Sequence, residues 1–126
     1  MLPTDGSLLR IFVGEADKHD KQPLYEWIVA QARAQGLAGA TVLRGLMGFG
    51  ANTRVIHTFK IERLSEDLPI IIELVDSAEK LEAFLSFIEQ HIHSGLLATM
   101  EQIQIRFYRP NKSSTPAQPP RKNSSS

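Results

Sequence analysis

The 126-residue sequence is long enough to build one hydrophobic core and too short for two domains of ordinary size. Its apolar content, 42%, is that of a folded globular chain, and its 14 basic and 14 acidic residues cancel. That balance argues against a general nucleic-acid binder, which needs a basic excess to neutralise phosphates. The absence of cysteine excludes disulfides, thiolate metal sites and a cysteine nucleophile.

No apolar stretch approaches the roughly 20 residues that a membrane-spanning helix needs. The first positive charge, Arg10, comes too late for the basic start of a secretory leader. The expectation is a soluble cytoplasmic protein. Residues 1–6 read as a flexible N-terminal arm. Residues 8–14 (LLRIFVG) are short, apolar and bounded by glycine and charge, which predicts a strand. A polar loop, ADKHDKQ, leads to Pro23 at the expected first turn of a helix. In that helix Leu24, Trp27, Ile28 and Ala32 fall at helical spacing, and Gly36 supplies the stop.

Residues 40–49 begin as a strand. A hairpin arm is expected over 56–64, where Ile56, Thr58, Lys60 and Glu62 alternate with His57, Phe59, Ile61 and Arg63. The run 68–75 (LPIIIELV) is almost continuously apolar and β-branched, the pattern of a strand covered on both faces. Asp76 or Ser77 caps a second helix, whose stripe is Leu81, Phe84, Leu85, Ile88 and Ile92, with Gly95 as its end. Ile103, Ile105 and Phe107 then alternate with Gln102, Gln104, Arg106 and Tyr108, as in a half-buried strand. The stretch 110–126, rich in Pro and Ser without a large apolar residue, reads as a disordered tail, leaving 7–109 as the folded domain.

The order β-α-β-β-α-β predicts an α+β ferredoxin-like fold, an antiparallel sheet with two helices on one face. Two helices cover only one face of such a sheet, yet 68–75 looks buried on both. Other copies of the chain are the economical cover, so an oligomer is expected.

Gly45, Gly48 and Gly50 have two readings: backbone that approaches a ligand and cradles an anion, or a tightly packed strand end. Arg44 and Arg54 bracket them, suited either to a phosphate or carboxylate or to an ion pair. His57 and Thr58 suit a ligand at the base of the 51–66 loop or a hydrogen bond that holds it. Glu15, Asp17 and Asp20 lack the glycine and terminal glutamate of a calcium loop and read as solvated acids. The adjacent Glu66 and Asp67 read as turn or cap residues. His91 and His93, two apart at a helix end, point to different faces and suit the helix dipole better than a metal. Tyr25, off the core stripe, is left for a ligand or an interface. No Ser-His-Asp order, HExxH or Walker lysine is present, so no enzyme activity and no cofactor are expected.

Two stretches, PLYEWIVAQARAQGLAGATVLRGLMGFG at 23–50 and IHTFKIERLSEDLPIIIELVDSAEKLEAFL at 56–85, together with RIFVGE at 10–15, carry a family resemblance. They resemble the bacterial PII-like proteins grouped as domain of unknown function family 190. The resemblance implies a ferredoxin-like fold, a homotrimer and no established catalytic activity. In the more distant PII signalling proteins, a Gly-Phe-Gly segment after the second strand leads into a mobile loop. Adenine nucleotide lies in the trimer cleft, between that segment and a glycine-containing turn after the second helix of a neighbour.

Gly48, Phe49 and Gly50 match the first element, and Ser94, Gly95 and Leu96 stand at the second. Arg106 and Arg109 fall near the basic residues that close the site. The sequence departs from PII in SGLLAT, which lacks the Asp and Lys of the usual turn, and in 51–66, which lacks the tyrosine some PII proteins modify. The resemblance therefore implies a sensor of ATP, ADP, AMP or a similar anion, regulating a protein partner such as a membrane transporter. The alternatives are a metal-binding or metal-responsive trimer and a small enzyme with an inter-subunit site.

Overall fold

The structure, a computed structural model, describes residues 5–50 and 67–111. The expected hairpin arm at 56–64 lies outside those residues, as do 1–4 and 112–126. Strand β1 (Asp5–Gly14) opens the fold. A two-strand hairpin follows, β2 (Lys18–His19) and β3 (Gln22–Pro23), then α1 (Leu24–Ala34) and β4 (Gly39–Arg44). Beyond the 51–66 segment come β5 (Pro69–Asp76), α2 (Ala78–His91) and β6 (Leu97–Gln104).

Strands β4, β5, β1 and β6 lie side by side in that order, and each pairs antiparallel with its neighbour. The connections β1–β4 and β5–β6 each cross over one strand and each carry a helix, and both helices pack on the same face. This is the ferredoxin-like arrangement. Along β1 and β5 the register sets Leu9 opposite Leu74, Ile11 opposite Ile72 and Val13 opposite Ile70. These strand residues join Leu24, Ile28 and Ala32 of α1 and Leu81, Phe84 and Ile88 of α2 in one buried cluster. At about 1.5–3 kcal/mol for each large apolar side chain removed from water, the cluster dominates the stability of the fold.

The elements begin and end for local reasons. Pro23 stands just before α1 as its cap residue, with extended backbone (φ −57°, ψ 133°), rather than inside the first turn. At the other end Gly36 has φ +77°, and its N–H bonds Arg33 O while Leu37 N–H reaches back to Ala32 O. That pair of bonds is a Schellman stop, which the left-handed glycine permits. Ser77 caps α2 by accepting from Lys80 N–H at 3.3 Å. Helix α2 stops when Ile92 turns extended (φ −119°), so Gly95, at φ +82°, shapes the following turn instead of ending the helix.

Four boundaries differ from the sequence reading. β1 begins three residues before Leu8. β4 stops at Arg44, where Gly45 N–H bonds Pro69 O and the chain then leaves the sheet. The last strand is Leu97–Gln104, earlier than the Ile103–Phe107 alternation suggested, and Phe107 is 71% exposed. The polar loop contains a hairpin whose central residues, Asp20 and Lys21, both have positive φ (50° and 70°). Such a turn matches the twist of the flanking strands.

The second face of the sheet is open in the single chain. β5 alternates buried residues with half-buried ones, so Ile71, Glu73 and Val75 are not covered as the continuous apolar run suggested. The register places Leu43, Ile71, Phe12 and Leu97 in one row across this face. The next row is Thr41, Glu73, Arg10 and Thr99. Arg10 bridges Glu73 and Glu101 at 3.0 Å each. The hydrogen bond it donates to Glu73, then the one it donates to Glu101, holds the guanidinium above its already high ordinary pKa.

Candidate functional site

One end of the sheet gathers three connections. β1 leaves at Gly14, β5 enters at Pro69 after the 51–66 segment, and the α2–β6 turn passes through Gly95. Here Gly48, Phe49 and Gly50 and the turn glycine Gly95 line a cleft of about 160 Å³. Phe12, Val13 and Gly14 form its floor from β1, and Leu97 and Pro69 its walls from β6 and β5. Phe12 and Leu97 belong to the open-face row, so the cleft is continuous with the uncovered side of the sheet. The structure thus brings together Gly48, Phe49, Gly50 and Gly95, the two elements expected to come from neighbouring subunits, within a single chain.

Asp67 also lines the cleft and is the one ionisable side chain among its described lining residues. Its Oδ1 accepts Ala16 N–H at 2.9 Å, and Glu15 N–H bonds Leu68 O at 2.8 Å, which ties the segment after β1 to the entry of β5. Asp17 accepts Gly14 N–H at 2.8 Å. A Cβ at Gly14 would stand 2.7 Å from Asp67 Oδ1, so only glycine leaves room for that carboxylate. Asp17, read from the sequence as a solvated acid, therefore holds backbone. Asp67 does what a turn residue does and, in addition, faces the cleft. Their partners lie across the fold, which local spacing cannot reveal.

The other expected site residues sit around this cleft or away from it. Gly45 is packed against the sheet: its Cβ would be 2.9 Å from Pro69 Cγ. Arg44 is ion-paired with Glu15. Arg106 is exposed beyond the end of β6, and Arg109 lies 4.8 Å over the Phe107 ring. Arg54, His57 and Thr58 lie outside the described residues. Leu46, Met47 and Phe49 expose 91%, 58% and 66% of their surface, an apolar arm beside the cleft mouth.

Histidines enter a cluster that spacing did not suggest. His19 packs 4.3 Å from Trp27, Trp27 stacks on Phe87 at 5.9 Å, and His91 sits 4.5 Å from Phe87 while its Nδ1 meets Phe87 O at 2.9 Å. Tyr25 is partly buried against the core. Among the described residues no group of three or more metal-ligating side chains converges, and no helix is long and apolar enough to cross a membrane.

A ferredoxin-like domain whose glycine segments converge at one end of the sheet has the form of the PII-like proteins, and the comparisons agree. The family model for DUF190, described as uncharacterized ACR, matches residues 6–105, and the chain belongs to that family. A UPF0166 protein of Aquifex aeolicus is 37% identical over 98 residues, covering 78% of this chain and 90% of the relative. A UPF0166 protein of Methanocaldococcus jannaschii is 36% identical over 91 residues, covering 71% and 82%.

Among solved structures, a Thermus thermophilus protein assigned to PII-like signaling superposes with a TM-score of 0.55 at 20% identity, over 82% of this chain and 91% of that one. The CPII protein of Thiomonas intermedia, bound to ADP, AMP and acetate, gives 0.55 at 20% identity over 80% and 88%. These structural likenesses establish the fold. The ligands are those of CPII.

Proposed function

We propose that this protein is a ligand sensor: a cytoplasmic homotrimer that binds an adenine nucleotide or a similar anion at a cleft between subunits and regulates a protein partner, such as a transporter. It acts without catalysis. The observation that carries this reading is the convergence of Gly48–Phe49–Gly50 with Gly95 on a cleft that opens onto the uncovered sheet face. A second copy seated on the row of Leu43, Ile71, Phe12 and Leu97 adjoins the cleft and adds a wall to it. The likeness to CPII, solved with ADP, AMP and acetate and with ADP and bicarbonate, supports the ligand class. The 51–66 segment begins and ends at the cleft, at Gly50 and Asp67, so occupancy there biases its conformation. Such a switch works only through a difference in affinity between two states.

Calorimetric titration with ATP, ADP, AMP, cyclic nucleotides and bicarbonate, with and without magnesium, tests the reading. Saturable micromolar binding that is lost in Gly48→Trp, with the trimer mass retained, is the expected result. Arg44→Ala is expected to weaken binding in the same series. Absence of binding by every ligand in the series removes the nucleotide from the reading.

A further inference from the structure

Among the described residues, exposed large apolar side chains gather at two opposite ends of the sheet. Leu43, Leu46, Met47, Phe49 and Leu97 lie toward the cleft. Phe107 and Tyr108, 71% and 47% exposed, lie beyond Gln104, which pairs with Asp5 at the far end of β1. From Leu97 to Gln104 the strand runs about 23 Å, at roughly 3.3 Å per residue, so the two groups stand a sheet's length apart. The segment after β6 leaves on the open side of the sheet. Gly6 alternates with Leu8, Arg10 and Phe12 along β1, so a Cβ there would point to the open face, and Ile105 Cδ1 lies 2.5 Å from that position. Arg109 stands 4.8 Å over the Phe107 ring, so the segment presents cations and aromatic rings together. The open face offers the complement. Its row Leu43, Ile71, Phe12 and Leu97 is apolar, and the next two rows carry Glu73, Arg10 and Glu101, one acid in excess.

We propose that Arg106–Arg109 of one copy is a clasp that docks on the open sheet face of a second copy, with Phe107 and Tyr108 against the apolar row and the two arginines toward the acidic rows. This rests on the subunit assembly proposed above and goes beyond it by naming the segment that grips the neighbour. The chain cannot seat these rings on its own row. Tyr108, four residues past Gln104, reaches back at most about 14 Å along the sheet, short of Leu97, and Phe107 reaches less. The contact joins one end of a copy to the opposite end of the next. It uses different patches on the two partners, the heterologous kind that builds rings. Covering either ring removes enough apolar surface from water to tighten assembly at least about tenfold.

Two measurements test the clasp. In the first, the photo-reactive p-benzoylphenylalanine replaces Phe107, unlabelled and heavy-isotope-labelled chains are refolded together, and cross-linked peptides are identified by mass spectrometry. The expected products are mixed-isotope pairs that join residue 107 to β1, β5 or β6 of the other chain, near Phe12, Ile71 or Leu97. Cross-links confined to one isotope form, or mixed pairs elsewhere on the surface, overturn the proposal. In the second, sedimentation across a dilution series compares the unmodified chain with Phe107→Ser, Tyr108→Ser and the double variant Arg106→Gln, Arg109→Gln. Each aromatic variant is expected to raise the dissociation constant of assembly at least about tenfold, with the circular dichroism spectrum retained because both rings are exposed in the single chain. The arginine variant is expected to lose most of the salt dependence of assembly. Unchanged assembly in both aromatic variants overturns the clasp and leaves the sensor reading standing. An unmodified chain that stays monomeric at every concentration overturns both the clasp and the homotrimer.

Discussion

Asp76 is the residue whose removal should cost the fold most for its size. It ends β5, is 2% exposed, and ties three parts of the chain together. Its Oδ1 accepts Ser77 N–H at 2.7 Å, its Oδ2 accepts Ala38 N–H at 2.9 Å, and Lys80 Nζ stands 3.6 Å away while donating to Gly36 O. The carboxylate therefore serves the start of α2, the approach to β4 and the Schellman turn after α1 at once. Asp76→Ala strips the acceptor from two part-buried backbone donors. At roughly 1–3 kcal/mol for each donor left unsatisfied, the loss is about 2–6 kcal/mol. Against the roughly 5–15 kcal/mol of an ordinary domain that is a large fraction.

Urea unfolding followed by circular dichroism, at fixed protomer concentration, should show the midpoint falling by about 1–3 M with an unchanged slope. Asp76→Asn keeps one acceptor oxygen and the shape, and should lose about half as much. A loss below about 0.5 kcal/mol for Asp76→Ala, or equal losses for the two variants, would refute the reasoning.

Other consequences are as direct. Gly36→Ala should cost about 1–2 kcal/mol, because the residue sits at φ +77° with nothing within 4 Å of an added Cβ, so the penalty is conformational alone. The same urea series reads it. Ile71→Asp places a charge in the middle of the open-face apolar row, where a single chain leaves the side chain half-exposed. If the proposed trimer forms through this face, light scattering should find its mass reduced to that of one chain in the variant, with the circular dichroism spectrum retained; an oligomer that persists in the variant would place the subunit interface elsewhere.

Much of this architecture was legible in the sequence, for identifiable reasons. The stripe Leu81, Phe84, Leu85, Ile88 and Ile92 and the set Leu24, Trp27, Ile28 and Ala32 follow the helical period; six of the nine are buried, and Trp27, Leu85 and Ile92 are partly buried against the core. Gly36 announced its own turn, because a left-handed stop after an apolar helix has few other solutions. The β5 run told less than it promised. Period and β-branching locate the strand, but whether its second face is covered depends on what lies across from it. The final strand misled in a similar way. Ile103 and Ile105 alternate well, yet Ile103 pairs with Gly6 at the far end of β1, whereas Ala98 and Met100 are the β6 residues packed against the core.

For the candidate site, glycine spacing singled out Gly48 and Gly50 and the family resemblance added Gly95, but neither could place them on one cleft. Asp67 and Asp76 were read as turn or cap residues, but their long-range partners were beyond local reading. Asp67 and Asp76 each act on a backbone N–H whose position the whole fold sets, 51 residues away for Asp67 and 38 for Asp76.

In the proposed assembly the open face is apolar enough to bind a copy and still specifies how it binds. An uninterrupted apolar face would tolerate many registers of docking. Here the row that follows Leu43, Ile71, Phe12 and Leu97 carries Arg10 beside Glu73, and Arg10 also pairs with Glu101 one row further on, with both ion pairs already made inside one chain. Covering a charge that arrives paired avoids the penalty that an unpaired one would incur. A shifted copy, by contrast, lays apolar side chains over the carboxylates and strips their water without compensation. Arg10→Met should therefore leave Glu73 and Glu101 unpaired at the interface and weaken assembly more than it weakens the isolated domain. Sedimentation across a dilution series, set beside urea unfolding of the same variant, measures the two losses separately. The cleft shares Phe12 and Leu97 with this face, so in the proposed assembly one row of side chains would set both the position of a docked copy and the shape of the candidate site.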